Sequence, residues 1–242
     1  LSKLNVAKKT PAGKDLVDPL VKALRKNDLK VGLYYSLPDW SHPDYKVVFP
    51  RPDTRKNYSQ KNQNNWPAWE RFVYFYKNQI KELQDNYNPD LFWFDGDWEH
   101  SAEEWRAKSL KDSLLSRNPN VIVNSRLNQY GDYSTPEQGV PVVRPEGPWE
   151  FCMTMNDNWG YFPSDTNYKP ASQIIRTFAE VIGSGGNLLL NIGPKPDGTI
   201  PQEQEYRLKE LGKWIAKNND AISGTKRSEE RRVGKECPLL CR

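Results

Sequence analysis

The sequence predicts an α/β protein whose strands are parallel. Helix-type and strand-type patterns alternate along the chain, in the order αβαβαβ, a long loop, then βαβα. Alternation of this kind places covering helices over a sheet of parallel strands. The chain has 242 residues, of which 36% are hydrophobic and 27% are charged, as expected for one large soluble domain. No apolar run approaches the roughly 20 residues of a membrane span, so no membrane partner is expected.

Five helices are predicted from apolar residues spaced three and four apart. The clearest is an amphipathic stripe that runs from Trp69 through Phe72 and Tyr76 to Leu83. In chain order, the helices are expected over residues 16–24, 69–83, 102–116, 174–182 and 202–217.

Five short apolar runs predict strands. They are KVGLYYS at 30–36, LFWF at 91–94, VIVNSR at 121–126, WEFCM at 149–153 and NLLLNIGP at 187–194. A closed barrel needs eight strands. An open doubly wound sheet accepts five, but it usually carries a Gly-rich phosphate turn after its first strand. The stretch GSGGN at 183–187 follows a helix instead, so we interpret it as a helix C-cap and turn.

The most informative segment is LFWFDGDWE at residues 91–99. An aromatic strand ends in Asp95, and α/β barrels place catalytic groups at the carboxyl ends of their strands. Trp93 and Trp98 suit the flat, apolar face of a sugar, although an isolated tryptophan is more often a core residue. The alternative interpretation of Asp95 is an ordinary turn residue. Two further acids lie near strand ends: Asp39 follows KVGLYYS by three residues, and Glu150 begins WEFCM.

Two carboxylates that face one bond are the minimum for glycoside hydrolysis. Asp95 suits the ionised, attacking group because it stands on a rigid strand. Glu137, in the loop GDYSTPEQGVP, suits the proton donor, but it could equally begin a helical turn after Pro136. Arg126, at the end of VIVNSR, could bind sugar hydroxyls and hold Asp95 ionised, or be a structural partner of a buried acid.

The net charge of +4 comes mainly from residues 226–242, which hold six Lys or Arg and three Asp or Glu. The rest of the chain has 29 basic and 28 acidic residues, so no nucleic-acid partner is expected. RSEERRVGKEC at 227–237 resembles the translation of a sequencing-library adaptor. We therefore interpret residues 226–242 as a non-native or disordered tail.

No metal and no cofactor are expected. DGDWEH superficially resembles a calcium loop, but the sixth place counted from Asp95 is His100 instead of Gly, and the twelfth is Arg106 instead of Glu. The body of the chain has one cysteine, Cys152, which excludes a thiolate metal site there. A serine-nucleophile α/β hydrolase is unsupported because the chain has no G-x-S-x-G motif.

Five motifs, taken in order, resemble the retaining α-L-fucosidases of glycoside hydrolase family 29. They are LFWFDGDW, VNSRL, GDYSTPEQ, WEFCMTMNDNWGY and GGNLLLNIGPKPDGTIP, and the resemblance spans about residues 7–225. The resemblance implies a (β/α)8 TIM-like barrel that hydrolyses terminal α-L-fucosyl linkages of fucosylated oligosaccharides or glycoconjugates by double displacement. It also implies a secreted, periplasmic or lysosome-like compartment.

The same resemblance implies roles for individual residues. Asp95 matches the nucleophile, and Glu137 matches the acid/base, whose position varies across the family. Trp159 matches an aromatic residue that contacts the methyl side of fucose. The implied sugar-binding residues are Tyr35, Trp93, Arg126 and Trp159.

The sequence departs from the family at its start. The His-His-Asp-Gly segment whose histidines bind fucose, and an upstream Trp, have no counterpart in it. Residues 1–225 are therefore expected to form an incomplete catalytic barrel, with about five of eight strands present and the first three missing. Exposed strand edges predict poor solubility. The alternative function is a non-catalytic fucose-binding or carbohydrate-binding barrel fragment, against which the presence of both acids argues.

Overall fold

A computed structural model describes residues 5–11, 13–47 and 65–222. The chain divides into two compact units, Leu1–Asp132 and Tyr133–Arg242. The tail predicted at 226–242 and residues 48–64 lie outside the described residues. Within the described ranges, no helix has the length and apolar character needed to cross a membrane.

The first unit is a parallel sheet of three strands with covering helices. Its strands are β1 (Gly32–Ser36), β2 (Leu91–Asp95) and β3 (Ile122–Val123), paired in the order β1-β2-β3. Its helices are α1 (Val6–Lys9), α2 (Val17–Lys26), α3 (Trp66–Tyr87) and α4 (Ala107–Arg117). A 3-10 turn, Asp97–Glu99, follows β2 directly. The predicted order of strands and helices is confirmed, with α1 and the 3-10 turn as additions.

An aromatic core holds β2 against α3. The predicted stripe of α3 is buried, except for the partly buried Leu83, and it packs in one cluster with Phe92 and Phe94 of β2 and with Trp105. The buried members from α3 are Ala68, Trp69, Phe72, Val73, Tyr76, Ile80 and Gln84. Burial of each large apolar side chain contributes roughly 1.5–3 kcal/mol, so this cluster fixes the position of β2.

The register of β1 and β2 decides which side chains share a face of the sheet. Tyr34 lies opposite Trp93, and Ser36 lies opposite Asp95. Successive side chains of a strand point to opposite faces. Trp93 and Asp95 therefore share one partly exposed face with Tyr34, and the alternate residues of β2 point into the aromatic core.

The second unit has a parallel pair of strands, β4 (Glu150–Met153) and β5 (Asn187–Leu190), with helices α5 (Ala171–Gly183) and α6 (Gln202–Ile222). Its core joins Trp149 and Phe151 to Ile174 and Val181 of α5. The turn predicted at 183–187 is confirmed: α5 ends there, and a Cβ on Gly186 would stand 2.4 Å from the Trp149 ring.

One sequence expectation needs correction. β3 has two residues where six were predicted: the Asn124 N–H still donates to the Phe92 carbonyl at 3.3 Å, and the next contact with β2 is made by the Asn124 side chain, as described below. Glu150 begins β4, as predicted. It therefore lies at the amino end of its strand, whereas Asp95 lies at the carboxyl end of β2.

Candidate active site

Asp95 is the last residue of β2, and the chain turns sharply after it. Gly96 has a φ of 82°, and a Cβ there would lie 2.4 Å from Pro38, so only glycine fits. The Asp95 carbonyl accepts the N–H of Leu37 at 2.9 Å, which continues the pairing with β1 to the end of the strand. The carboxylate of Asp95 is therefore presented from a rigid strand end and is 25% exposed.

Each carboxylate oxygen of Asp95 receives a different donor. Arg126 Nη1 donates to Oδ1 at 2.6 Å, and the Tyr34 hydroxyl donates to Oδ2 at 2.7 Å. Burial and the charge of Asp95 raise the pKa of Tyr34 to about 12, so its phenol remains a donor at neutral pH. Two donors, one of them charged, hold the carboxylate in one orientation.

Trp93 forms an aromatic wall beside Asp95. Its ring stacks on Tyr34 with centroids 5.7 Å apart and planes 20° apart. The Arg126 guanidinium lies over it, with Cζ 4.5 Å from the ring centroid, and lies 5.9 Å from the centroid of Trp98. The predicted group of Asp95, Trp93 and Arg126 is thus brought together in the first unit.

Two asparagines hold the segment that carries Arg126. Asn124 is fully buried, and its amide makes two bonds of 2.9 Å to the backbone of Phe94: Oδ1 accepts the N–H and Nδ2 donates to the carbonyl. Asn128 donates its backbone N–H to Asp97 Oδ2 at 2.6 Å. Burial raises the pKa of Asp97. Because both anchors connect to residues that flank Asp95, they fix Arg126 relative to that carboxylate.

Tyr35 lies away from this group. It points to the opposite face of β1, packs against the aromatic core, and donates its hydroxyl to Gln79 Oε1 at 2.7 Å. Burial raises the pKa of Tyr35. The alternation of side chains along the strand puts Tyr34, and not Tyr35, beside Asp95. The sequence prediction therefore selected the wrong tyrosine of the GLYYS strand for this face.

Glu137 belongs to the second unit, where its backbone pairs with β4. Glu137 forms an isolated bridge with Cys152, and the N–H of Gln138 donates to the Cys152 carbonyl at 3.0 Å. Gln138 has a φ of 59°, a left-handed conformation that turns the chain sharply. The Glu137 side chain is exposed.

Trp159 also belongs to the second unit and is 41% exposed. Its carbonyl accepts Asn191 Nδ2 at 2.6 Å. Nearby, Asp165 Oδ2 accepts the backbone N–H groups of Asp157 and Asn158, both at 3.0 Å. These bonds brace the loop that carries Trp159. Nowhere in the described ranges do three or more His, Cys, Asp or Glu side chains gather in a way that could hold a metal ion.

Known proteins identify the family. A sequence model described as alpha-L-fucosidase matches residues 1–220. The chain belongs to the alpha-L-fucosidase family. The alpha-L-fucosidase of Branchiostoma floridae is 35% identical over 226 residues, which cover 88% of this chain and 47% of that protein. The tissue alpha-L-fucosidase of Homo sapiens is 32% identical over 225 residues, which cover 88% of this chain and 46% of that protein.

Solved fucosidase structures also match this chain. Alpha-L-fucosidase isoenzyme 1 from Paenibacillus thiaminolyticus matches with a TM-score of 0.77 and 34% identity, covering 90% of this chain and 56% of that chain. A fucosidase from Bacteroides thetaiotaomicron, crystallised as a trapped covalent intermediate, matches with a TM-score of 0.79 and 29% identity, covering 93% and 55%. The motif-based family prediction is confirmed, and this chain spans about half the length of these relatives.

Two residues of the candidate site, Tyr34 and Asn124, were not predicted from the sequence. The alternation of side chains along a strand could have predicted Tyr34, because it places Tyr34 and Tyr35 on opposite faces of the sheet. No sequence pattern predicted the role of Asn124. A polar residue at the end of a short strand does not reveal that its side-chain amide bonds to the backbone of Phe94 on the next strand.

Proposed function

We propose that the protein hydrolyses terminal α-L-fucosyl linkages of fucosylated oligosaccharides or glycoconjugates with retention of configuration. Asp95 is the nucleophile and Glu137 the acid/base. The observation that carries the proposal is the carboxylate of Asp95, fixed by Arg126 and Tyr34 at a strand end in a chain of the fucosidase family. A glycosidase nucleophile needs a fixed direction of attack on the anomeric carbon.

The reaction takes two displacements. In the first, an Asp95 oxygen attacks the anomeric carbon, the bond to the leaving oxygen breaks, and that oxygen takes a proton from Glu137. In the second, Glu137 removes a proton from water as the water oxygen attacks the same carbon and releases Asp95. Retention requires carboxyl groups about 5–5.5 Å apart during the reaction.

The proposed sugar contacts follow the exposed face of β2. Trp93 offers its ring to an apolar sugar face, and Arg126 offers donors to hydroxyls beside Asp95. Tyr34 replaces Tyr35 in this proposed set because it reaches Asp95. Trp159 stays in the set as the contact to the methyl side of fucose, on the family resemblance.

We further propose that β1 to β5 are five strands of a (β/α)8 TIM-like barrel, formed by residues 1–225. The parallel pairing within each unit supports this arrangement. The carboxyl ends of barrel strands form one catalytic face, which would receive Asp95.

The nucleophile is tested by Asp95→Gly with an aryl α-L-fucoside. We expect hydrolysis to fall at least about a thousandfold. Added azide should restore turnover, because it fits the space of the carboxylate, and should yield the β-fucosyl azide. Asp28→Gly is the matched control: Asp28 is exposed and has a φ of 57°, which glycine accepts. Undiminished activity of Asp95→Gly without azide would show that Asp95 is not the nucleophile.

The acid/base is tested by Glu137→Gln with two substrates. Cleavage of an unactivated fucosyl disaccharide should fall roughly 100- to 10,000-fold. Hydrolysis of α-L-fucosyl fluoride should fall far less, because fluoride leaves without a proton. Glu146→Gln, an exposed acid of the same loop, is the control. Equal losses on the two substrates would exclude Glu137 as the acid.

A further inference from the structure

Trp98 stands on the 3-10 turn immediately after β2, three residues beyond Asp95. Its side chain is 62% exposed, although a tryptophan gains more than most residues from burial. A single exposed aromatic residue needs no explanation by itself. Its two chain neighbours, Asp97 and Glu99, both accept hydrogen bonds from aromatic side chains.

The residues on both sides of Trp98 are held by hydrogen bonds from buried or half-buried aromatic side chains: Asp97 through its backbone carbonyl and Glu99 through its carboxylate. On one side, the Asp97 carbonyl accepts Nε1 of the fully buried Trp105 at 2.9 Å. On the other side, Glu99 accepts Trp40 Nε1 at 3.0 and 3.1 Å and also accepts the hydroxyl of the buried Tyr45. The turn is therefore fixed while the ring that it carries remains open to solvent.

Arg126 relates this ring to the site. Its guanidinium carbon lies 4.5 Å from the centroid of Trp93 and 5.9 Å from that of Trp98. Trp93 precedes Asp95 on the strand, and Trp98 follows the strand end. A sugar at Asp95 that contacts Trp93 would extend its glycosidic substituent out of the strand end, where the Trp98 ring is exposed.

We propose that Trp98 packs against the sugar on the leaving-group side of the scissile bond and thereby sets the preference for the leaving group. The ligand is a pyranose residue that presents its C–H face to the indole. This inference rests on the proposed fucosidase function. It makes Trp98 a specificity-determining residue, with no part in proton transfer or attack.

The test compares kcat/KM for an α-L-fucosyl disaccharide and for α-L-fucosyl fluoride, whose leaving group is too small to reach the ring. Trp98→Ala should lower the disaccharide value by about tenfold relative to the fluoride value, because it removes the packing of the indole against the leaving-group sugar; tenfold corresponds to about 1.4 kcal/mol. Trp98→Phe should restore most of the difference. Tyr74→Ala, which removes a 71% exposed ring from α3, should leave the ratio unchanged.

The outcomes separate the two proposals. Retained fluoride hydrolysis in Trp98→Ala shows that the variant folds. A disaccharide-to-fluoride ratio that stays at the wild-type value, including an equal loss on both substrates, would overturn the role of Trp98. Wild-type protein that turns over neither substrate would instead overturn the proposed fucosidase function, and this inference with it.

Discussion

Removal of the Asn124 side chain should destabilise the first unit by about 2–6 kcal/mol. Asn124 is 0% exposed, and its amide makes two bonds of 2.9 Å to the Phe94 backbone. Asn124→Ala leaves one buried N–H and one buried carbonyl without these partners, and each such group costs about 1–3 kcal/mol. Because Phe94 directly precedes Asp95, kcat should fall as well.

Urea unfolding measures this loss as a lower midpoint. Asn124→Asp keeps the volume of the side chain but places an oxygen against the Phe94 carbonyl, so it should also destabilise. Asn86→Ala, at an exposed position of α3, should change stability by less than about 0.5 kcal/mol. A wild-type midpoint for Asn124→Asp would mean that the shape of the side chain, and not its hydrogen bonds, supports the strand end.

Three further changes test other parts of the structure. Gly186→Ala should destabilise by about 1–3 kcal/mol, because its Cβ would lie 2.4 Å from the Trp149 ring, whereas Gly183→Ala meets no atom within 4 Å and should be neutral in the same urea titration. Arg126→Lys should lower kcat/KM for an aryl fucoside roughly 10- to 100-fold, because an ammonium cannot reproduce the stacked guanidinium; wild-type kinetics would contradict this. Burial lowers the pKa of His100, so the unfolded state takes up a proton on this residue at a higher pH than the folded state does. The free energy of unfolding should therefore fall as pH drops below 6.5. An equal fall in the His100→Gln variant would show that His100 does not cause it.

The fold class was predictable because two different periods recur along the chain. The stripe from Trp69 to Leu83 has a helical period and becomes α3, while the uninterrupted aromatic run at 91–94 becomes β2. Strand length was less predictable. The apolar pattern of VIVNSR does not reveal that pairing passes from backbone to side chain at Asn124.

The candidate site was predictable where a residue's position on its strand decides its surroundings. Asp95 ends an aromatic strand, and the structure places Arg126 and Trp93 beside it. The choice between Tyr34 and Tyr35 depends on which face of β1 the helices cover. Position in a motif does not supply that information, but the burial of Tyr35 against the core does.

The two proposed catalytic acids are supported in different ways, and their roles explain the difference. Asp95 is held through its carboxylate oxygens, as a nucleophile must be if it is to meet one carbon from one direction. Glu137 is supported through backbone pairing: the N–H of Cys152 donates to the Pro136 carbonyl at 3.1 Å, and the N–H of Gln138 donates to the Cys152 carbonyl at 3.0 Å. Backbone bonds depend little on side-chain identity, so such a loop can change in sequence and still present an acid. The acid/base protonates the leaving group in one step and takes a proton from water in the next. Its carboxylate must therefore be able to adjust, while the loop that carries it stays in place, and an exposed Glu137 on a backbone-paired segment meets both requirements.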